Sequence, residues 1–159
     1  QRKHITDAET DYLTKVYTRS RIISYLEEHI VPQGTSIALV DIDNFKNINE
    51  QFGHSTGDTL LLQVAEQLKS ALRDIDHVGR YEGDTFLVVI DHADDEYTTK
   101  LVDRIKSRID NTVYSNNIKI TVSIGVVYCQ SSDSDAMLSR VDQVLYKAKH
   151  SGKNQIIYE

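Results

Sequence analysis

Apolar residues along the chain switch between a helical and an alternating period, and the switches mark out the elements. Ile22, Ile23, Leu26 and Ile30 recur at helical spacing, so a helix is predicted over 18–30, with Pro32-Gln33-Gly34 ending it. Residues 36–41 are short and continuously apolar up to Asp41, as a buried central strand is. Leu61, Val64, Ala65, Leu68 and Leu72 make one face of a second helix, opened by Gly57-Asp58. The β-prone runs 78–81 and 86–90 flank Glu82-Gly83-Asp84, which predicts a hairpin with those three as its turn residues. A helix is predicted over 94–110 with Val102, Ile105 and Ile109 inward, then a long period-two strand over 118–128. A last helix over 135–149 aligns Leu138, Val141, Leu145 and Ala148, and residues 155–158 close an edge. The sum is an α/β (α+β) sandwich, with helices packed on a mainly antiparallel sheet.

Composition bounds this picture. A chain of 159 residues, 40% hydrophobic and 26% charged, suits one domain that buries a core without cross-links. Cys129 is the single cysteine and no His/Cys cluster has metal-site spacing, which favours a reducing compartment. No apolar run approaches the roughly 18–20 residues needed to cross a bilayer, and Gln1-Arg2-Lys3-His4 opens no secretory segment. A cytoplasmic location is therefore expected, with attachment to a membrane-anchored chain left open. The missing initiator Met suggests a piece of a longer protein. A net charge of −6 argues against a nucleic-acid polymer as partner, but not against a nucleotide held through divalent cations.

Four segments carry candidate chemistry. Asp41-Ile42-Asp43 lies where the buried strand runs out, so it either holds Mg²⁺ or merely solvates a strand end and caps the next helix. Phe45, Lys46 and Asn49 follow within one or two helical turns, adding a planar surface, a cation and an amide, as a nucleotide requires. Asn49 and Asp58 suit the edge of a guanine, since a carboxylate accepts from its N–H groups; Asp58 as a helix cap is the plain alternative. Asp84 projects from the hairpin turn, which an ordinary Gly-Asp turn also explains. Lys149 and Lys153 surround a helix-ending glycine, suited either to phosphate oxygens or to a basic C-cap.

These residues resemble a known family. Asp41-Ile42-Asp43-Asn44-Phe45-Lys46-Asn47-Ile48-Asn49-Glu50, then Gly53-His54 and Gly57-Asp58, is similar to the D-x-D-x-F-K-x-x-N-D…G-H-x-x-G-D block of GGDEF (diguanylate cyclase) domains. Asp11-Tyr12-Leu13-Thr14 resembles the opening D-x-L-T, Arg80-Tyr81 precedes the hairpin, and Ser123-Ile124-Gly125-Val126 resembles the S-I-G-V strand. Asp142, Leu145-Tyr146, Ala148-Lys149 and Gly152-Lys153-Asn154 resemble the ending. The resemblance divides the chain into a linker and D-x-L-T segment, 1–17, and the domain proper, 18–159. It implies a fold like that of adenylyl cyclases and polymerase palms, and a homodimer in which two GTP molecules condense to cyclic di-GMP and two pyrophosphates. Asp41, the Ile42 carbonyl and Asp84 would bind Mg²⁺ (or Mn²⁺), with Asp84 and Lys46 taking part in catalysis. Asn49 and Asp58 would read guanine, beside Phe45 and Gly83, while Lys46, Lys149 and Lys153 would hold phosphates.

The signature hairpin departs from the family's G-G-[DE]-E-F, reading Glu82-Gly83-Asp84-Thr85-Phe86. Thr85 stands where the resemblance implies a metal-ligating carboxylate, and a neutral hydroxyl is a poor Mg²⁺ ligand. Glu82 replaces a glycine and is expected to face substrate, where two unit charges ~4 Å apart at dielectric ~20 repel by about 4 kcal/mol. Glu82 and Thr85, first and fourth in a tight turn, are expected to point to different spots. Lys15, Val16 and Thr18 also depart from the family's Gly, Leu and Asn, while Arg19 fits. Arg73-Asp74-Ile75-Asp76 matches the family's R-x-x-D inhibitory cyclic di-GMP site, and Arg104 a further arginine of it; a surface ion pair is the alternative. The expectation is a degenerate domain that binds GTP, cyclic di-GMP or both with little or no synthesis, joined to further domains. An active cyclase and a structural dimerisation module are the alternatives.

Overall fold

Strand β1 (Ser36–Ile42) is buried at every position, so it needs a partner on each edge and a layer on each face. In the computed structural model, which describes residues 7–159, it has all four. Antiparallel neighbours β3 (Thr85–Ile90) and β4 (Val122–Tyr128) flank it, with β2 (His77–Glu82) outside β3 and β5 (Ile156–Tyr158) parallel to β4. The order is β2-β3-β1-β4-β5, antiparallel except for the last pair. Helices α1 (Arg19–His29), α2 (Phe45–Phe52), α3 (His54–Ala71), α4 (Asp95–Asp110) and α5 (Ser134–His150) complete the α+β sandwich that the pattern predicts.

Alternation along β1 sorts the layers. Ala38, Val40 and Ile42 join the core under α3 and α4, whereas Ile37 and Leu39 join the core under α1 and α5. Asp41, two residues after Leu39, therefore stands on the α5 face. Cys129 is buried in that second core, and burial pushes its thiol up to about 12, so it is a packing residue.

Three sequence expectations change. Helix α3 begins at His54 after Gly53 (φ 92), so Gly57 and Asp58 lie inside it and do not open it; Asp58 is no cap. The strand expected over 118–128 shortens to Val122–Tyr128, because pairing with β1 stops at Ile42↔Val122, followed by a last backbone bond from the Asp43 N–H to the Thr121 carbonyl (2.9 Å). Glu82 belongs to β2 and leaves Gly83-Asp84 as the turn, because it pairs with Thr85 across a register shift after Arg80.

The segment before α1 is docked. Asp11 accepts from the backbone N–H and hydroxyl of Thr14, and Tyr17 exchanges backbone hydrogen bonds with Val78 and Arg80 of β2. Lys15 adopts φ 65, a left-handed conformation that explains the family's glycine there. Val16 is buried and Thr18 caps α1 by accepting from the Arg21 N–H. Among the described residues no helix is long and apolar enough to cross a membrane.

Candidate functional site

The predicted residues converge at one end of the sheet, where β1 runs out beside the β2–β3 turn. The Ile42 N–H donates to the Asp84 carbonyl (3.1 Å), which fixes the turn against the end of β1. Asp84 is close enough to Asp41 to disfavour the charge on the Asp41 carboxylate.

A groove of about 560 Å³ lies between that turn and the starts of α2 and α3, lined by Phe45, Lys46, Asn49, Glu50, His54, Asp58, Arg80, Gly83 and Asp84. Residues 45, 46 and 49 share one face of α2 by helical spacing, which is why sequence reasoning found them together. Phe45 offers the groove its ring, and Lys46 and Asp58 are exposed. The Asn49 Oδ1 is buried and has no hydrogen-bond partner. Gly57 makes this possible: a Cβ there would come within 1.7 Å of that oxygen and 3.3 Å of Phe45 Cζ.

Arg80 and Asp43 have roles that the sequence reading missed. Arg80 donates to the Gly83 carbonyl through Nε (3.0 Å) and Nη2 (2.7 Å) and reaches Asp11, tying the turn to the N-terminal segment. Asp43 does not cap α2. Its buried carboxylate accepts from Thr121 Oγ1 (2.7 Å), Ser123 Oγ (2.6 Å) and the Asn154 N–H (3.1 Å), fastening β1 to β4 and to the loop after α5. Two hydroxyls at i and i+2 of one strand were the signal that could have found it.

Asp41 is 3% exposed, with a hydroxyl against one carboxylate oxygen and an ammonium against the other. The Thr85 hydroxyl donates to Oδ1 (2.5 Å), across the strand pair Asp41↔Thr85. The Lys149 ammonium, from α5, forms an ion pair with Oδ2. Burial raises the Asp41 pKa above its ordinary value, the Lys149 and Thr85 hydrogen bonds lower it, and Asp84 raises it. Lys153, in a left-handed conformation (φ 60), donates to Asn44 Oδ1 (2.8 Å). Lys149 and Lys153 thus flank the end of β1, held by protein groups.

The hairpin substitutions sit differently from expectation. Glu82 pairs with Thr85, so both point to the α5 side of the sheet; first and fourth residues of this turn share a face. The carboxylate neighbouring Glu82 is Asp142 on α5, whose pKa burial and then Glu82 raise. Glu82 is not among the groove's lining residues, although Gly83 and Asp84 beside it are.

Donor chemistry decides how well this end suits a divalent cation. Mg²⁺ binds through carboxylates and phosphates, and a carboxylate at position 85 would put two anions directly opposite each other. Thr85 contributes no charge, and Lys149 already balances Asp41. The ligand set left is Asp84, the Ile42 carbonyl and a carboxylate that is paired elsewhere. This set does not fit a metal centre as it stands, and among the described residues no group of three or more His, Cys, Asp and Glu is clustered to hold a metal ion.

Arg73, Asp76 and Arg104 gather at another edge, around the C-terminal end of α3. Arg73 clasps Asp76 bidentately (Nε to Oδ2 3.1 Å, Nη2 to Oδ1 2.9 Å), donates to the Asp91 carbonyl (2.6 Å) and lies 3.9 Å over the Tyr97 ring. Arg104 donates twice to the Ala71 carbonyl (3.2 and 2.9 Å). The Asp76 side chain is wholly buried, so in this conformation it orients Arg73 and offers nothing outward.

A family model described as diguanylate cyclase, GGDEF domain, matches residues 8–155. The chain is 32% identical over 156 residues to the diguanylate cyclase DosC of Escherichia coli K12, covering 92% of this chain and 34% of that protein. It is 30% identical over 160 residues to diguanylate cyclase A of Treponema denticola, covering 92% and 43%. It therefore spans about a third to two fifths of the length of these relatives. In structure it is similar to diguanylate cyclase SiaD of Pseudomonas aeruginosa in complex with its activator SiaC (TM-score 0.88, 25% identity, 94% of this chain and 61% of that one). The GGDEF domain of DgcB from Caulobacter crescentus in complex with c-di-GMP shares its fold (TM-score 0.87, 23% identity, 98% of each chain).

Proposed function

The chain belongs to the GGDEF, diguanylate-cyclase domain family, and is thereby a domain of cyclic di-GMP signalling; from that premise we propose that it binds guanine nucleotides with little or no synthesis of cyclic di-GMP. The observation that carries the reading is the Asp41 carboxylate, paired with Lys149 on one oxygen and with the Thr85 hydroxyl on the other. The family generally uses divalent metal ions, and Mg²⁺ or Mn²⁺ would have to displace Lys149 here.

The groove residues divide the work of holding GTP. The unpartnered Asn49 Oδ1 and the exposed Asp58 accept from the N–H edge of guanine, which selects it over adenine. Phe45 supplies an apolar surface for the base and Lys46 a charge for the phosphates, while Lys149 and Lys153 at the end of β1 are held by Asp41 and Asn44. Gly83 lets the phosphate chain approach the turn, since nothing lies within 4 Å of where a Cβ would stand. Asp84 is the one acid of the hairpin tip, beside Lys46, left to take a proton.

Cyclic di-GMP is the second ligand, at Arg73 and Arg104. Their guanidinium groups suit phosphate or the Hoogsteen edge of guanine, and the buried Asp76 holds Arg73 in place. Pairing of two copies and attachment to further domains, in a cytoplasmic setting, belong to the same reading.

A second reading has one observation in its favour. The cross-strand pair Glu82↔Thr85 puts a carboxylate beside the position that lost one, which supports residual cyclase activity through Glu82. Incubating the protein with GTP and Mg²⁺ or Mn²⁺, at concentrations that permit pairing, separates the two. Absence of cyclic di-GMP and of its linear intermediate is expected. Turnover like that of an intact cyclase, abolished by Glu82→Gln, establishes the second reading.

A further inference from the structure

We infer that Lys149 serves as the resident counter-charge of Asp41, so that guanine nucleotides enter this groove without a divalent cation. The inference rests on the nucleotide-binding reading above and adds the charge balance of the site.

Asp41 and Thr85 stand directly opposite each other on β1 and β3. Carboxylates directly opposite each other on one face of an antiparallel pair repel, and burial strengthens the repulsion, so such a pair requires a cation between them. With Thr85 the requirement disappears. Its hydroxyl donates to Oδ1 of Asp41 and Lys149 covers Oδ2, which leaves one carboxylate, one ammonium and one satisfied hydroxyl. A buried carboxylate already balanced by one ammonium offers an incoming ion no surplus charge.

The fold holds this arrangement from three sides. Asp41 is locked in the central strand, Thr85 in its neighbour, and Lys149 lies one residue beyond the fully buried Ala148 in the last turn of α5. The next residues keep the lysines local: Lys153 donates its backbone N–H to the Ala148 carbonyl and its ammonium to Asn44. Lys46 and Arg80 line the groove, Lys46 exposed and Arg80 already bonded to Gly83 and Asp11, which leaves Lys46 as the cation for a ligand's phosphates. Only Asp84 stays in the groove as an anion of the hairpin, and it is a single carboxylate.

Two measurements test this. In the first, GTP is titrated calorimetrically into the protein in EDTA and again in millimolar Mg²⁺. The two dissociation constants should agree within about threefold, whereas Thr85→Glu should bind at least about tenfold more tightly with Mg²⁺ than without. In the second, Mn²⁺ alone is followed by electron paramagnetic resonance in the absence of nucleotide. The wild type should take up none at sub-millimolar metal, and Lys149→Met, which frees Asp41, should gain a bound ion. GTP binding by the wild type only when Mg²⁺ is present overturns the inference and leaves the nucleotide reading standing. Mn²⁺ uptake by the wild type, or uptake by Lys149→Met no greater than the wild type's, overturns it without reference to nucleotide. Failure to bind GTP in either buffer overturns both readings.

Discussion

Gly57→Ala should separate nucleotide binding from folding. Gly57 sits in the first turns of α3 with no positive φ, so its backbone accepts alanine, and helix propensity favours alanine by about 1 kcal/mol. The new methyl carbon would stand 1.7 Å from Asn49 Oδ1 and 2.9 Å from its Cγ, so the amide must turn away. That displacement is cheap in the free protein, because Oδ1 has no hydrogen-bond partner to lose. It is costly for the ligand: a guanine N–H that gives up water and finds no acceptor loses about 1–3 kcal/mol, or roughly fivefold to a hundredfold in affinity. The assay is titration of fluorescent GTP and ATP against wild type and variant, beside thermal melts. Melting should stay level or rise, while GTP affinity falls toward that for ATP. A variant that melts like the wild type and binds GTP unchanged would refute Asn49 as a base-reading residue.

Other changes test the charges. Burial raises the Asp41 pKa, so the folded state holds that proton more tightly than the unfolded chain; the charged form's cost vanishes below the ordinary 3.8 and is complete above the raised folded value. Asp41→Asn should therefore raise the melting temperature at neutral pH by about 2–4 °C per kcal/mol recovered, with the gain fading as acidification protonates the wild-type carboxyl. His77 shows the opposite sign. Burial lowers its pKa from 6.5 against the pull of Asp91 and Asp76, so folding favours neutral imidazole, and stability present above 6.5 is lost as pH falls through the lowered value. His77→Phe keeps an aromatic ring against Tyr25 (4.0 Å between centroids) and should flatten the melting profile below that pH; an unchanged slope would exclude His77 as its source. Arg104→Ala should weaken cyclic di-GMP binding about tenfold with little loss of stability, because Arg104 is exposed and bonds only a backbone carbonyl. Arg73→Ala is a poorer probe: it strips the buried Asp76 carboxylate of its side-chain donors and should destabilise the fold by about 2–4 kcal/mol, read by chemical denaturation.

Local pattern determined much of this protein. Periodicity located the strands and the helices that bury a broad face, α1, α3, α4 and α5, because burial leaves its period in the residues; the short α2, which buries only Ile48, was not set apart as an element. The motif Asp41 to Asn49, on a strand end and the first face of a helix, was legible for the same reason: neighbours in sequence there are neighbours in space. Pairing between distant segments was not legible. Only the register sets Thr85 against Asp41 and Glu82 beside Thr85, and a register is chosen by the whole sheet's burial rather than by the turn's residues. Only the packing of α5 brings Lys149 onto Asp41, more than a hundred residues away, and only the meeting of β1, β4 and the last loop turns Asp43 from a candidate ligand into a fastener. Sequence thus named the charged groups of the site, while tertiary structure decided which of them already neutralise one another, because Coulomb energy depends on distances that chain order does not contain.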